Sequence, residues 1–220
     1  MAVADPTLQL EIELLSGGAR YVIGCDEVGR GAIAGPVAVG MCAIDANVGP
    51  MPVGLRDSKM LSEKRRVALA PLAAAWAVHS AVGLASAEEV DRLGITVCLG
   101  LAGKRALASL HEGGVRVLDS IVLLDGHQDW LNPALTTKLS VHTRIKADRD
   151  CASVAAASVI AKVHRDGLMI EADEQEPGYG WSGNKGYGAA AHFAAIEQLG
   201  TSSLHRLSWL KPSTIVNETA

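Results

Sequence analysis

Aromatic side chains are scarce in this chain of 220 residues: one Phe, three Tyr and four Trp, 4% in all. Hydrophobic residues still reach 49%, much of it Ala and Val. That is ample material for an aliphatic core, and the length suits one domain or a domain with a small appendage. Paired cysteines are also missing. Cys25, Cys42, Cys98 and Cys151 form no CxxC unit and lack zinc-ligand spacing. This excludes a disulfide framework and leaves small buried hydrophobes in a reducing compartment. No stretch has ~18 apolar residues free of charge, so no membrane span is expected. The first ten residues carry Asp5 and no basic segment, unlike a signal peptide; a cytoplasmic location is the expectation. Positive charge is not in excess either: 20 Lys and Arg against 24 Asp and Glu give a net charge of −4. That excludes a globally basic nucleic-acid binder. Any polyanion must be held by a local patch, with metal ions offsetting nearby carboxylates.

What is present is most telling at Gly24-Cys25-Asp26-Glu27-Val28-Gly29-Arg30-Gly31. The apolar run Tyr21-Val22-Ile23 before it reads as a buried strand. Two adjacent carboxylates then stand where that strand runs out. Packing gives little reason for them, because acids are depleted in strands and burying an unpaired carboxylate is expensive. A hard divalent cation with oxygen ligands is the natural compensation. The glycines permit close backbone approach, and arginine offers a planar fork suited to phosphate. Together they suggest metal-assisted chemistry on a phosphate.

Along the chain, residues 1–18 read as an amphipathic lead-in. Strands are expected at 21–25, 35–44, 75–84, 120–124 and 139–145, the first two joined as an antiparallel hairpin. Ser62 resembles a helix N-cap before an unusually basic first turn, and Ser86-Ala87-Glu88-Glu89 has the capping-box form. Helices are expected at 96–111, 151–171 and 189–199, with a Gly-rich loop at 176–188 and a frayed tail after Pro212. The pattern is α/β: a mixed sheet with helices on both faces.

Three of the expected strands thus end in acids: Asp26-Glu27, Asp125 and Asp148. An isolated Asp-Gly after a strand is often only a turn, and Asp150 fits the N-cap of the helix from Cys151 better than Asp148 does. Asp26 and Glu27 should also point to opposite faces, so a bulge, the strand terminus or a backbone carbonyl is needed to bring both to one site. If the strand ends converge, the cluster holds four carboxylates. Two Mg²⁺ ions about 4 Å apart would then neutralise them and clamp the oxygens of a phosphodiester.

Six motifs follow one another: Gly24 to Gly31, Asp57-Ser58-Lys59-Met60-Leu61-Ser62, Leu124-Asp125-Gly126, Lys146-Ala147-Asp148, Ala155 to Asp166, and Asn184-Lys185-Gly186-Tyr187-Gly188. In this order the chain resembles the type 2 ribonucleases H (ribonuclease HII) from about Tyr21 to Leu199. It departs from many relatives at Ala147, where glycine is usual, and at Ala189, where Thr or Ser is usual. The resemblance implies a ribonuclease H-like fold with a five-stranded mixed sheet: a lead-in at 1–18, a catalytic domain at 19–175 and a small helical extension with the tail at 176–220. It implies an endonuclease cutting RNA paired to DNA, and single ribonucleotides embedded in duplex DNA, to give 5′-phosphate and 3′-hydroxyl ends. The metal ligands it implies are Asp26, Glu27, Asp125 and Asp148, with two Mg²⁺ or Mn²⁺ ions. Gly29, Arg30 and Gly31 correspond to the loop sensing the ribose 2′-hydroxyl, and Tyr187 to the tyrosine stacking at the RNA–DNA junction.

Lys59, Lys146, Lys162 and Lys185, with Ser158 beside them in the helical motif, are candidate substrate contacts, as are Arg30, Arg144 and Arg165; for each, a solvated surface charge is the commoner fate. The expected partners are an RNA/DNA hybrid and ribonucleotide-containing duplex DNA, bound by a monomer without a membrane. Rival readings are a DNA-cutting nuclease of the same broad fold, a non-catalytic hybrid-binding module and an aspartyl phosphatase, the last lacking its DxD motif.

Overall fold

The computed structural model describes residues 5–211; the expected tail after Pro212 lies outside them. Helix α1 (Gln9–Ser16) precedes strands β1 (Tyr21–Val28) and β2 (Val37–Ile44). Helix α2 (Glu63–Trp76) leads to β3 (His79–Ala85), α3 (Ala87–Leu93) and α4 (Ile95–Glu112). Strand β4 (Ser120–Asp125) and strand β5 (Ser140–Arg144) follow, then α5 (Ala147–Asp150), α6 (Ala152–Gln175), α7 (Trp181–Asn184) and α8 (Ala190–Leu199).

The strands form one sheet in the order β3-β2-β1-β4-β5. The β1–β2 and β2–β3 pairs are antiparallel, whereas β1–β4 and β4–β5 are parallel. Side-chain alternation sorts the sheet into two cores. Tyr21, Ile23, Cys25, Val122 and Leu124 pack against Cys98, Ala102 and Ala106 of α4. Val22, Cys42 and Leu123 pack against Val154, Ala155 and Val159 of α6 and Leu69 of α2. A third cluster joins Met169 to Tyr179, Trp181, Ile196 and Leu210. Two of the eight aromatic residues of the chain, Tyr179 and Trp181, thus serve this outlying cluster rather than the sheet.

Several boundaries move from their expected places. Residues 75 and 76 finish α2, which runs through Pro71, so β3 starts at His79; a run of Ala satisfies either periodicity, and packing on α6 decides it. The capping box at Ser86 and Glu89 is formed, with both bonds made at 3.1 and 2.9 Å. Ser62 occupies the N-cap of α2 without a side-chain cap bond. Arg66 in that basic first turn instead donates to the Ser58 and Leu61 carbonyls at 3.1 and 2.6 Å. The N-cap of α6 is Cys151, not Asp150; Asp150 ends α5 and pairs with Arg149 and Arg144.

Helix α6 lies unusually close to the sheet. A Cβ added at Gly24 would fall within the backbone of Ser153, and one at Gly40 would meet the Ala157 carbonyl. Small residues on the helix and bare backbone on the strands are therefore matched surfaces. The helix start is fixed by α1: buried Glu11 accepts from the Ser153 N–H and hydroxyl, both at 2.9 Å. Burial pushes the Glu11 carboxyl up, and those two bonds oppose it. Gly24→Ala should cost about 3 kcal/mol of stability by forcing α6 off β1, visible as a lower denaturation midpoint with unchanged slope; a wild-type midpoint would show that the helix yields freely.

Candidate active site

Asp26 and Glu27 lie inside β1, not beyond it. Pairing of β1 with β2 is regular from Val22 to Val28, so no bulge re-aims either residue. The relevant edge is on the other side, where pairing with β4 stops at Cys25 and Leu124. One step further puts Asp26 level with Asp125, and both side chains share the α6 face with Val22 and Leu123. Glu27 belongs to the opposite face, yet past the last β4 pair it lines the same cleft. Asp148 corrects a second expectation: β5 ends at Arg144, and Asp148 sits in the short helix α5. Lys146, in left-handed conformation with φ 62°, makes the turn between them.

These elements surround a cleft of about 310 Å³ lined by Asp26, Glu27, Val28, Gly29, Arg30, Gly31, Ser58, Lys59, Asp125, Lys162 and Tyr187. Asp148 joins through Lys59, whose Nζ is 3.0 Å from its Oδ2. Ser158 is fully buried behind the acids and donates to Ser58 Oγ at 2.9 Å. Asp125 accepts from the Ala147 N–H at 2.7 Å, tying the end of β4 to α5. Arg30 pairs with Glu27 at 3.2 Å. A larger groove of about 490 Å³ lies between α3, α4 and α6. It is mainly apolar, and of its three charged groups Glu89 and Arg105 are already paired with each other at 2.8 Å, which leaves Glu171; the clustered carboxylates line the smaller cleft.

The electrostatics are those of crowded, part-dry carboxylates. Burial raises Asp26 to about 8, aided by the charges of Glu27 and Asp125 and opposed by the Ser158 hydroxyl and Lys59. Burial raises Glu27, against the pull of Arg30. Burial and the charge of Asp148 raise Asp125, against the Ala147 N–H. Burial works against the Lys59 ammonium, but its bond to Asp148 and the charges of Asp26 and Asp57 outweigh this and raise it. Asp26 Oδ2 is buried with no hydrogen-bond partner. Such an orphaned oxygen is costly unless something cationic meets it.

The donor set fits a hard divalent ion: carboxylate oxygens only, one of them unpartnered, in a roomy cleft. Among the described residues, no three acidic, His or Cys side chains are drawn together into a closed ligand shell. The positive charges that the site carries by itself are Lys59, held on Asp148, Arg30, held on Glu27, and Lys162, held on Asp166.

Other expected contacts divide. Tyr187 is 36% exposed at the cleft, with Lys162 Nζ and Arg165 Cζ 5.5 and 5.4 Å from its ring centroid. Lys162 is held by Asp166 at 2.8 Å. Lys185, at φ 52° and 7% exposed, turns to the Ser182 carbonyl and stands 3.7 Å from Glu63. Lys146 is exposed outside the cleft lining. Arg165 is fully buried and donates to the carbonyls of Pro36, Lys185 and Ala34 at 2.8, 2.8 and 3.0 Å, so it is a brace rather than a phosphate contact. Arg206 braces the same loop and carried no sequence signal; a lone arginine in a polar loop reads as a solvated charge.

The model of the ribonuclease HII family matches residues 23–212. The chain belongs to the ribonuclease HII family. Ribonuclease HII of Streptomyces griseus is 45% identical over 213 residues, covering 95% of this chain and 86% of the relative. That of Paracoccus denitrificans is 44% identical over 209 residues, covering 93% and 91%. Among solved structures, the ribonuclease H2 from Pyrococcus horikoshii superposes with a TM-score of 0.69 at 25% identity, covering 86% of this chain and 93% of that one. Bst-RNase HIII in complex with Mn²⁺ gives 0.71 at 25% identity, covering 93% and 70%. The ribonuclease H-like fold and a hydrolase of the ribonuclease H class follow from this membership.

The raised Asp26 makes metal-free stability depend on pH. Its ordinary value is 3.8 and its folded value about 8, so the folded state holds the proton more tightly. The resulting stabilisation is full below about pH 4 and is lost as pH rises through 8. In chelator, Asp26→Asn should flatten this decline and exceed the wild type at about pH 9 by on the order of 2 kcal/mol in urea denaturation. An unchanged pH slope in the variant would contradict the burial argument.

Proposed function

We propose that this chain is a metal-dependent endoribonuclease that hydrolyses the RNA strand of RNA/DNA hybrids and also cuts at ribonucleotides embedded in duplex DNA. The observation that carries it is the unpartnered buried Oδ2 of Asp26, level with Asp125, in a cleft walled by a glycine-flanked backbone loop and an accessible tyrosine. That arrangement suits a cation on one side and a ribose on the other. Family membership supports the substrate class, and the Mn²⁺ complex of Bst-RNase HIII supports divalent-metal dependence.

In this reading Asp26, Glu27, Asp125 and Asp148 hold two Mg²⁺ or Mn²⁺ ions. When bound, the ions would supply charge neutralisation of the diester and lower the pKa of the attacking water. The chain's own residues do the rest. Asp26 is held rigidly by β1 and α6, and Asp125 by the Ala147 N–H, so their oxygens are aimed before substrate arrives. Lys59 keeps Asp148 at the cleft and offers an ammonium to a phosphate. Backbone groups of Gly29, Arg30 and Gly31 read the 2′-hydroxyl, the atom that separates RNA from DNA. Tyr187, its ring fixed by Lys162 and Arg165, stacks on the sugar or base at the junction. The enzyme works as a cytoplasmic monomer and leaves 5′-phosphate and 3′-hydroxyl ends. Among the described residues, no helix is long and apolar enough to cross a membrane.

One assay separates this reading from a DNA-cutting nuclease or a binding module. A DNA duplex with one ribonucleotide, given Mg²⁺ or Mn²⁺, should be nicked there while an all-DNA control stays intact; cleavage of both, or of neither, rejects the proposal. Asp26→Asn and Asp125→Asn should each lower kcat by about a thousandfold or more, on the scale of losing a charge-stabilising group, with circular dichroism unchanged. Full activity of either variant would remove these acids from the mechanism. Tyr187→Ala should weaken single-ribonucleotide cleavage by roughly 10- to 100-fold in kcat/KM, the scale of one lost stacking contact, while Tyr187→Phe stays near wild type; equal losses in both would assign the effect to the hydroxyl.

A further inference from the structure

A buried guanidinium sits directly beneath the Gly29–Gly31 loop. Arg206 is fully buried, and its donors all go to main-chain carbonyls. Nε and Nη2 reach the Gly35 oxygen at 3.2 and 3.0 Å, and Nη1 reaches the Arg30 oxygen at 3.2 Å. Burial and the nearby Arg165 charge lower its pKa to about 10, which leaves it cationic at neutral pH. Burying a charge on carbonyls alone is expensive. What the fork supplies is geometry: one rigid group fixes both ends of the loop from 30 to 35. The arginine is itself anchored. Its N–H donates to the Ile33 carbonyl at 2.8 Å, and Asp91 accepts from the Leu207 and Ser208 N–H groups at 2.8 and 3.0 Å.

The peptide geometry converts this anchor into a direction. No cis peptide occurs among the described residues, and in a trans peptide the C=O and the following N–H point opposite ways. With the Arg30 carbonyl drawn inward to Arg206, the Gly31 N–H must point outward. Gly31 is exposed, and a Cβ there would meet nothing within 4 Å, so this donor is uncovered. The floor of the loop is closed, since a Cβ on Gly29 would run into Arg165.

We propose that Arg206 is a positioning residue for ribose selection: by holding the Arg30 carbonyl inward, it aims the Gly31 N–H into the cleft as a donor to the ribose 2′-hydroxyl. This rests on the reading of the cleft given above. Lysine keeps the charge but cannot span Arg30 and Gly35 with one ammonium, so Arg206→Lys isolates the geometric role. On a DNA duplex carrying one ribonucleotide, the variant should lose about 10- to 100-fold in kcat/KM, the scale of one misplaced hydrogen bond. Its Kd for an all-DNA duplex should stay close to wild type, while its melting temperature falls by a few degrees for the carbonyl bonds lost. Unchanged kcat/KM, or parallel loss of all-DNA binding, overturns the proposal.

Amide exchange in the wild type gives a second arm that needs no variant. The Ala32 and Ile33 amides, bonded to the Gly29 and Gly186 carbonyls at 3.2 and 2.9 Å, should exchange slowly. The Gly31 amide should exchange fast in the free protein and slow when the ribonucleotide duplex binds, but not when the all-DNA duplex does. A Gly31 amide protected in the free protein overturns the proposal. A wild type that leaves the embedded ribonucleotide uncut overturns both this proposal and the reading beneath it; cutting with an unimpaired Arg206→Lys variant overturns this one alone.

Discussion

The spacing between α6 and the sheet governs the candidate site. Because Gly24 and Gly40 present bare backbone, the helix can descend onto β1 and β2 at Ser153 and Ala157. Everything further along the helix inherits that register. Ser158 comes to rest behind Asp26, Lys162 reaches the Tyr187 ring, and Arg165 fills the space under Gly29. The same closeness dries Asp26. A helix carrying larger residues would stand off, let water in and leave an ordinary exposed carboxylate. Packing and chemistry are thus one constraint here: small side chains are needed because a buried acid is needed.

Charge is arranged in two tiers around that constraint. Above the sheet edge are the acids with Lys59, a flexible cation paired to Asp148 at 71% side-chain exposure and therefore free to exchange partners. Beneath the Gly29–Pro36 loop are Arg165 and Arg206, which carry no such freedom because their donors are spent on carbonyls. With an overall charge of −4, a polyanionic substrate depends on the local cations that line the cleft, Arg30, Lys59 and Lys162, and on offsetting of its acids.

Much of the architecture was legible in the residues. The apolar runs gave five strands near their observed places, and Ser86 with Glu89 announced the start of α3. Asp26, Glu27 and Asp125 stood out because acids at the end of an apolar run have no packing explanation. The failures have physical causes as well. Asp148 reads as a strand end because nothing local marks the left-handed turn at Lys146, a conformation a lysine adopts only when its surroundings require it. Asp150 looked like a cap by type, yet the ion pairs with Arg144 and Arg149 claim it. Arg165 and Arg206 resembled surface charges, since burial of a guanidinium on carbonyls depends on loops that are remote in sequence. The bond from Arg206 to Arg30 spans 176 positions, and no local pattern encodes it.

Glu11 adds a temporal dimension to this architecture. The helix start that it fastens lies 142 residues downstream. During synthesis α1 must wait for the 142 residues that follow Glu11 before its carboxylate finds Ser153, and until then α6 cannot cover its face of the β1–β2 hairpin. Long-range closures of this kind slow folding and leave apolar strands open to wrong encounters. The lead-in is therefore a late latch, one that can engage only once the start of α6 has been made.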